Sequence, residues 1–331
     1  MHRYEDTPIL VTGGAGFIGS ELVRQLHELG AVVTVLDNFS SGADANLAEL
    51  QRVNVVRGDI RDQELVKELV KDQEVIFNLA AFPFIPASYA YPRMTFEVNV
   101  TGTLNVLLAA TSEIADIKMI CHVSTSEVYG TAQYIPMDEK HPLNPHSTYA
   151  ASKLAADRLC FTLYHEQDLP IVIIRPFNAY GPRETHPYII PILISQLSRS
   201  DILNLGNIES SRDFTYVSDT VRGLLLAGQT LTARGETINL GSNNDIKIKD
   251  LTYLIARLKG KTDIEINTDP MRLRPLDVDR LCCSNEKAKK ILKWSPQVSL
   301  EEGLRHTITW FENNGRKWPW EKRVGKYNLP I

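Results

Sequence analysis

Three short groups of residues in this chain have the types and the spacing to do chemistry. Tyr149 and Lys153 stand four apart in Tyr149-Ala150-Ala151-Ser152-Lys153, so in a helix both side chains share one face. A phenol with an ordinary pKa of about 10 is a poor base at neutral pH. An ammonium beside it stabilises the phenolate and lowers that value. Upstream, Ser124-Thr125-Ser126-Glu127 offers hydroxyls and one carboxylate. A hydroxyl there can hydrogen-bond a reacting alcohol while the tyrosine takes its proton. The third group, Gly13-Gly14-Ala15-Gly16-Phe17-Ile18-Gly19, is a glycine loop. Its glycines permit a tight turn, a close backbone approach to a pyrophosphate, and close packing of helix on strand.

Each group has an ordinary alternative. Tyr and Lys fall at helical spacing by chance, Ser/Thr-rich strand ends are usually turns or caps, and a glycine loop can be a plain turn. What counts is the elements around them. β-branched runs at 9–12, 32–36, 53–56, 75–78, 118–124 and 171–175 predict strands. Amphipathic stretches at 16–29, 62–70, 94–111 and 147–167 predict helices between several of them. This alternation implies parallel strands with right-handed crossovers, an α/β Rossmann-type doubly wound sheet. The glycine loop then lies between the first strand and the first helix, whose N-terminal N–H groups suit phosphates. Ser124–Glu127 lies at the carboxyl edge of the sheet, where such folds bind ligands.

Asp37 closes the second predicted strand, about 20 residues past the glycines, where a carboxylate accepts from the ribose hydroxyls of adenosine. No arginine follows directly; Asn38, Phe39 and Ser40 come next. A carboxylate repels a 2′-phosphate, so NAD is expected rather than NADP. Asp59-Ile60, after the third strand, falls where an adenine contact is commonly made, although Asp59 also suits a helix cap.

After residue 175 the rhythm changes and prolines and glycines crowd in. We expect a Rossmann domain over 1–175 and a smaller mixed α/β substrate domain over 176–331. The tail 318–331 shows no periodicity. The charge balance, 36 basic against 40 acidic residues, argues against a general nucleic-acid binder. Cys121, Cys160, Cys282 and Cys283 contain no Cys-x-x-Cys pair, so neither a metal site nor a disulfide framework is expected. With no apolar run of about 18 residues and no leader pattern, the expectation is a cytoplasmic protein without a membrane partner.

Taken together, these groups resemble the extended short-chain dehydrogenase/reductases that modify nucleotide-sugars. The likeness extends over Asn78-Leu79-Ala80-Ala81, Asn99-Val100-Thr101-Gly102-Thr103, Ser124–Gly130, Tyr149–Lys153, Arg175–Arg183 and Arg212–Val217. It implies Thr125, Tyr149 and Lys153 as catalytic hydroxyl, base and lysine, with Ser126 and Glu127 beside them. It implies cofactor contacts from Gly13, Gly16, Phe17, Ile18, Gly19, Asp37, Asn38, Asp59, Ile60, Leu79, Ala80, Ala81 and Asn99. It implies that the second domain holds a nucleotide-diphosphate sugar, through Asn178, Arg183, Arg212 and Arg274, with Ser88 of the first domain as a further substrate contact. A guanidinium suits diphosphate chemistry in any case. The family's four-helix interface implies a homodimer through 94–111 and 147–167, where Ala109, Ala110, Ala155, Ala156 and Leu159 fit equally well against the sheet.

The family includes 4,6-dehydratases, 4-epimerases, decarboxylases and reductases. Epimerases usually have a small or non-acidic residue where this chain has Glu127. A ketone at C4 acidifies the C5 hydrogen, which a carboxylate can remove; loss of the C6 hydroxyl and return of the hydride then give a 4-keto-6-deoxy sugar. The best-known dehydratases carry Thr-Asp-Glu, and this chain departs from them with Thr125-Ser126-Glu127. That triplet also resembles GDP-mannose 4,6-dehydratases, legionaminic-acid pathway dehydratases and UDP-glucuronate decarboxylases. Phe84–Tyr89 and Glu127–Ala132 with Pro136–Leu143 are similar to the legionaminic-acid pathway enzymes. The expectation is therefore a dehydratase acting on an N-acetylglucosamine-type nucleotide-sugar, with decarboxylase and 4-epimerase as alternatives. A non-catalytic NAD-binding module is the remote alternative, since such proteins typically lose the tyrosine or the lysine.

Overall fold

A computed structural model of the chain describes residues 4–111 and 116–322. Its strands are β1 Pro8–Thr12, β2 Val32–Asp37, β3 Asn54–Arg57, β4 Val75–Asn78, β5 Met119–Val123, β6 Ile171–Pro176, β7 Asn178–Tyr180, β8 Ile202–Leu205, β9 Ser211–Tyr216, β10 Thr237–Leu240, β11 Asp245–Lys247 and β12 Glu265–Thr268. Seven of them form one parallel sheet in the order β3-β2-β1-β4-β5-β6-β10. The chain runs outward one way from β1 to β3 and the other way from β4. The strand order reverses at the β1–β4 pair, and the carboxyl ends there leave a crevice. Every residue of β5 and of β6 is buried, as continuous apolar runs covered on both faces require.

The helices are α1 Phe17–Glu28, α2 Gln63–Val70, α3 Ile85–Ala90, α4 Pro92–Phe96, α5 Gly102–Ala110, α6 Thr148–Gln167, α7 Ile189–Leu197, α8 Val217–Gln229, α9 Ile248–Leu258, α10 Glu286–Leu292 and α11 Leu300–Asn313. Layers of apolar side chains join them to both faces of the sheet: Leu22, Leu26, Val221 and Leu224 on one side, Val66, Val106, Cys160 and Leu163 on the other.

Two expectations from the sequence need correction. The stretch 94–111 is not one regular helix, because Glu97–Thr101 forms a π-helical turn between α4 and α5. Such turns insert one extra residue into the ladder and re-aim a side chain; here Asn99 points at the segment after β4, where its Oδ1 accepts from Phe82 N at 2.7 Å. Nor is 175/176 a clean boundary. β10 pairs with β6, and α8 packs on the large sheet. The apolar runs of α8 and β10 are completed only by that sheet, so the chain returns to it before finishing the smaller lobe.

The smaller lobe holds β7, β9 and β11 as one sheet and β8 with β12 as a pair, around Leu193, Phe214, Leu251, Leu304 and Phe311. Trp318, at the start of the stretch without periodicity, is fully buried there; it stacks on Phe311 and donates from Nε1 to Ser195 Oγ at 3.0 Å. Residues 323–331 lie outside the described residues. All four cysteines are free and buried. Among the described residues, no group of three or more His, Cys, Asp or Glu is arranged to hold a metal, and no helix is long and apolar enough to cross a membrane.

Candidate active site

A cleft of about 860 Å³ runs along the carboxyl edge of the large sheet and under the smaller lobe. At its base the glycine loop meets the end of β4. Gly13 has φ of +72°, a conformation that favours glycine, and a Cβ there would lie 2.9 Å from Ala80 Cα. At Gly19 a Cβ would stand 2.1 Å from the Gly13 carbonyl oxygen. The Thr12 hydroxyl ties this base together, donating to Asn78 Oδ1 at 2.7 Å and accepting from Ala80 N at 3.1 Å. Gly16 is the N-cap of α1 and supplies no side-chain cap, so the first N–H groups of the helix face the cleft for an anion to use. The loop, cradle and helix start fit the diphosphate of a dinucleotide.

Asp37, at the tip of β2, accepts from Ala15 N at 2.9 Å and Phe39 N at 2.7 Å and lines the cleft beside Asn38. Its carboxylate therefore braces the glycine loop and stands where ribose hydroxyls would lie. Ile60, Leu79, Ala80 and Ala81 line the cleft as well. Asp59 does not line it. Its carboxylate is gripped by Arg61, with Asn38 adding a bond at 2.9 Å, and these bonds hold its pKa down to about 2. Arg61, not Asp59, reaches the cleft wall. Asn99 is likewise set back: it bonds Phe82 N and donates to Ser152 Oγ at 2.9 Å, so it fixes the wall rather than forming it.

At the centre, Thr125, Glu127, Tyr149 and Lys153 all line the cleft. Thr125 caps the 3-10 turn Ser126–Tyr129, its Oγ1 accepting from Glu127 N at 3.2 Å. Ser147 caps α6 through Ala150 N, and Ser88 Oγ accepts from Tyr149 N at 3.2 Å. Burial pushes the Tyr149 phenol well up; a hydrogen bond with Thr125 works against that, and the nearby Glu127 carboxylate adds to it. Burial also lowers Lys153, to about 8, with Cys160 and Asp157 opposing. Lys153 does not act on the phenol in the simple way its spacing suggests, because its ammonium donates to Val123 O at 2.6 Å.

Behind Lys153 lies a buried polar layer that the sequence did not reveal. Asp157, one turn further along α6, pairs with Arg175 at 2.9 Å, and Arg175 bonds Tyr129, which donates to Asn239. His122 faces Asn78 at 3.2 Å. Because an amide nitrogen can only donate, His122 Nδ1 is the acceptor. Burial and the neighbouring Lys153 lower the His122 pKa to about 3.

On the far wall, Asn178, Arg212 and Arg274 line the cleft. Arg212 and Arg274 converge on Asp277, at 3.5 and 3.6 Å. Burial lowers Arg212, while Glu127 and Asp277 hold its charge in place. Three further residues named from the sequence do not reach the cleft. Ser126 is buried on the other side of its turn. Ser88 is buried, with its hydroxyl committed to Ile85 O and Tyr149 N. Arg183 is paired to Glu21 of α1. Conversely, Tyr89, Glu184, Tyr188, Arg272 and Asp277 line the cleft without having been singled out. Asp277 had one legible signal, its place three residues after Arg274; the 184–188 segment had none.

A hydroxyl, a phenol and a carboxylate thus surround one position. The hydroxyl can orient an alcohol by a hydrogen bond, the phenol can take that alcohol's proton once ionised, and the carboxylate can take one from carbon beside the resulting carbonyl.

Residues 10–307 match the family model described as GDP-mannose 4,6 dehydratase. The chain is 33% identical over 314 residues to a putative UDP-glucose 4-epimerase of Methanocaldococcus jannaschii, covering 93% of this chain and 99% of that one. It is 34% identical over 315 residues to the UDP-N-acetyl-alpha-D-glucosaminuronate decarboxylase of Bacillus cytotoxicus, covering 91% and 97%. Among solved structures, the DesIV dTDP-glucose 4,6-dehydratase of Streptomyces venezuelae, determined with NAD bound, superposes with a TM-score of 0.86 at 33% identity, covering 94% and 98%. NAD is the cofactor of this family, and the glycine cradle with Asp37 fits it. The chain belongs to the GDP-mannose 4,6-dehydratase family, the nucleotide-sugar dehydratases and epimerases of the extended short-chain dehydrogenase/reductases.

Proposed function

We propose that this chain is an NAD-dependent 4,6-dehydratase that converts a nucleotide-linked hexose to its 4-keto-6-deoxy form, and is therefore a lyase. The observation that carries this reading is the Glu127 carboxylate on the cleft wall next to Thr125 and Tyr149. The glycine loop and Asp37 would hold NAD, which would supply a hydride acceptor for C4 and a hydride donor for C6. Thr125 orients the C4 hydroxyl and Tyr149 takes its proton. Lys153, anchored to Val123 O, fixes α6 and supplies positive charge to the floor of the site. Glu127 removes the C5 proton that the 4-ketone has acidified, then delivers a proton to the departing C6 hydroxyl. That dual use replaces the aspartate missing at Ser126. Arg212 and Arg274 hold the diphosphate, with Asn178 beside it.

The substrate proposed is an N-acetylglucosamine-type nucleotide-sugar. The working form proposed is a homodimer in the cytoplasm. Phe96, Leu108 and Phe161, on α4, α5 and α6, are 41%, 42% and 39% exposed and support the dimer; four buried free thiols support a reducing setting.

Epimerisation or decarboxylation is the second reading, favoured by the names of the two relatives at 33% and 34% identity. Incubation with UDP-, dTDP-, GDP- and CDP-hexoses and the matching hexuronates, read by mass, tests both. Loss of water is the expected result. Loss of carbon dioxide, or an unchanged mass with an inverted C4, overturns it.

A further inference from the structure

Ser210, Arg212 and Phe214 line the cleft, and Ser211 and Asp213 between them do not. Side chains along a strand alternate between its two faces. Asp213 therefore points away from the cleft, directly behind Arg212, and it is fully buried. Its carboxylate is crowded with donors. Ser242 N and Ser242 Oγ each donate to Oδ1 at 2.7 Å. Asn243 N and Cys283 N each donate to Oδ2 at 3.0 Å. Burial raises its pKa to about 6 against the pull of these four bonds, so the group is ionised at neutral pH.

The donors come from two parts of the molecule. Ser242 and Asn243 follow β10, the outermost strand of the large sheet. Cys283 ends a strip, 277–283, that lies along β9. Ser211 N donates to Asp279 O at 2.8 Å, and Leu281 N donates to Ser211 O at 3.1 Å. The strip begins at Asp277, the carboxylate on which Arg212 and Arg274 converge. Arg212 otherwise bonds the carbonyl of its neighbour Ser211, at 2.9 Å. Both guanidiniums thus take their places from Asp277. The strip that carries Asp277 is held at Ser211 and at Asp213.

We infer that Asp213 is a positioning residue for the substrate's diphosphate: through one carboxylate it fixes Arg212 and the strip bearing Asp277 to the large sheet, at the spacing in which Arg212 and Arg274 grip the diphosphate together. Asp213 touches no substrate itself. The inference rests on the reading of Arg212 and Arg274 as the diphosphate's partners, and not on which reaction follows. The residue type matters, because an ionised carboxylate accepts at both oxygens and donates at neither. Asparagine has one such oxygen, and its NH₂ would face at least one peptide N–H.

The test is calorimetric titration of NAD-loaded protein with UDP-, dTDP-, GDP- and CDP-glucose, continued with the one that the wild type binds most tightly. Asp213→Asn is expected to weaken that affinity about tenfold, with NAD affinity unchanged. Where the ligand turns over, KM is expected to rise by the same factor while kcat stays within about threefold. A general loss of structure would weaken NAD binding and lower kcat as well. Unchanged affinity for the nucleotide-sugar, or an equal loss of NAD affinity, overturns the inference. Arg212→Gln and Arg274→Gln are titrated alongside. If neither weakens binding, or if the wild type refuses all four ligands, the diphosphate reading fails and the inference with it. If both weaken binding and Asp213→Asn does not, the inference alone fails. Should Asp213→Asn not fold, Ser242→Ala removes one of the donors and leaves the carboxylate in place. It is expected to weaken the same affinity about threefold, and no change there overturns the inference.

Discussion

The Lys153 ammonium donates to the carbonyl of Val123 at 2.6 Å. One bond thereby locks helix α6, which carries Tyr149, to the end of β5, two residues before Thr125. The two halves of the reacting centre come from segments more than 20 residues apart in the chain, and this contact sets their separation. Replacing Lys153 by Met removes both the anchor and the charge. Turnover is expected to fall about 10²–10⁴-fold. Lys153→Arg is expected not to restore it, because the larger planar head does not fit a site built for a point charge. Steady-state kinetics beside NAD retention checks this.

Glu127→Gln separates the first step from the second. C4 oxidation needs Tyr149 and Thr125, whereas elimination needs the carboxylate. The variant is expected to accumulate 4-keto hexose without loss of water and to stop exchanging the C5 hydrogen with D₂O. Dehydrated product forming at more than a tenth of the wild-type rate would remove Glu127 from the mechanism.

Gly19→Ala probes the cradle. Its Cβ would stand 2.1 Å from the Gly13 carbonyl oxygen, with Gly14 Cα at 2.9 Å. Backbone must move, and the loop under the diphosphate moves with it. At least a tenfold loss of NAD affinity is expected, with far-UV circular dichroism near wild type. Undiminished NAD affinity by titration would show that the loop does not carry the cofactor.

The Asp157–Arg175 pair is fully enclosed, with side chains 0% and 2% exposed. Burial alone would raise the Asp157 carboxyl, but the bonds and charge of Arg175 keep it below the ordinary range. Asp157→Asn leaves a guanidinium buried without its countercharge, a change that costs about 3–5 kcal/mol. Urea unfolding is expected to show a loss of that size, and a loss below about 1 kcal/mol would mean the pair is not coupled to stability.

His122 sets the sign of the acid response. Its pKa is lowered from 6.5 to about 3, by burial first and Lys153 second. Between those values the unfolded chain binds a proton that the folded chain refuses. Unfolding then takes up a proton, so stability falls as pH drops from 6.5 towards 3. His122→Asn removes that uptake, and its melting temperature is expected to decline less steeply over the same window. Parallel declines in both proteins would show that other groups dominate.

Much of this was legible in the sequence because it depends on local rules. The glycine loop, the acidic end of β2 and the Tyr149–Lys153 spacing each need only a strand, a turn or a helix to make sense. The β-branched runs announced six strands of the large sheet. The seventh, β10, did not announce itself as part of it. Its four residues, Thr237–Leu240, become a buried strand only because β6 offers an open edge.

The tertiary structure decided which polar residues face the cleft. Ser88, Asn99, Asp59 and Arg183 sit in or beside motifs, yet hydrogen bonds and ion pairs to neighbours turn them away from it, and Ser126 is buried off the cleft. A side chain's direction depends on what surrounds it, and those surroundings come from distant parts of the chain. Asp277 acquires its place between Arg212 and Arg274 only when β9 and the loop after β12 meet. Glu184 becomes a buried group on the cleft wall only when its loop folds against the smaller lobe. From the sequence came the cofactor loop and the oxidation pair, because short-range geometry dictates them. Folding determined the shape and charge of the wall that meets the sugar, because only packing sets which groups lose water together.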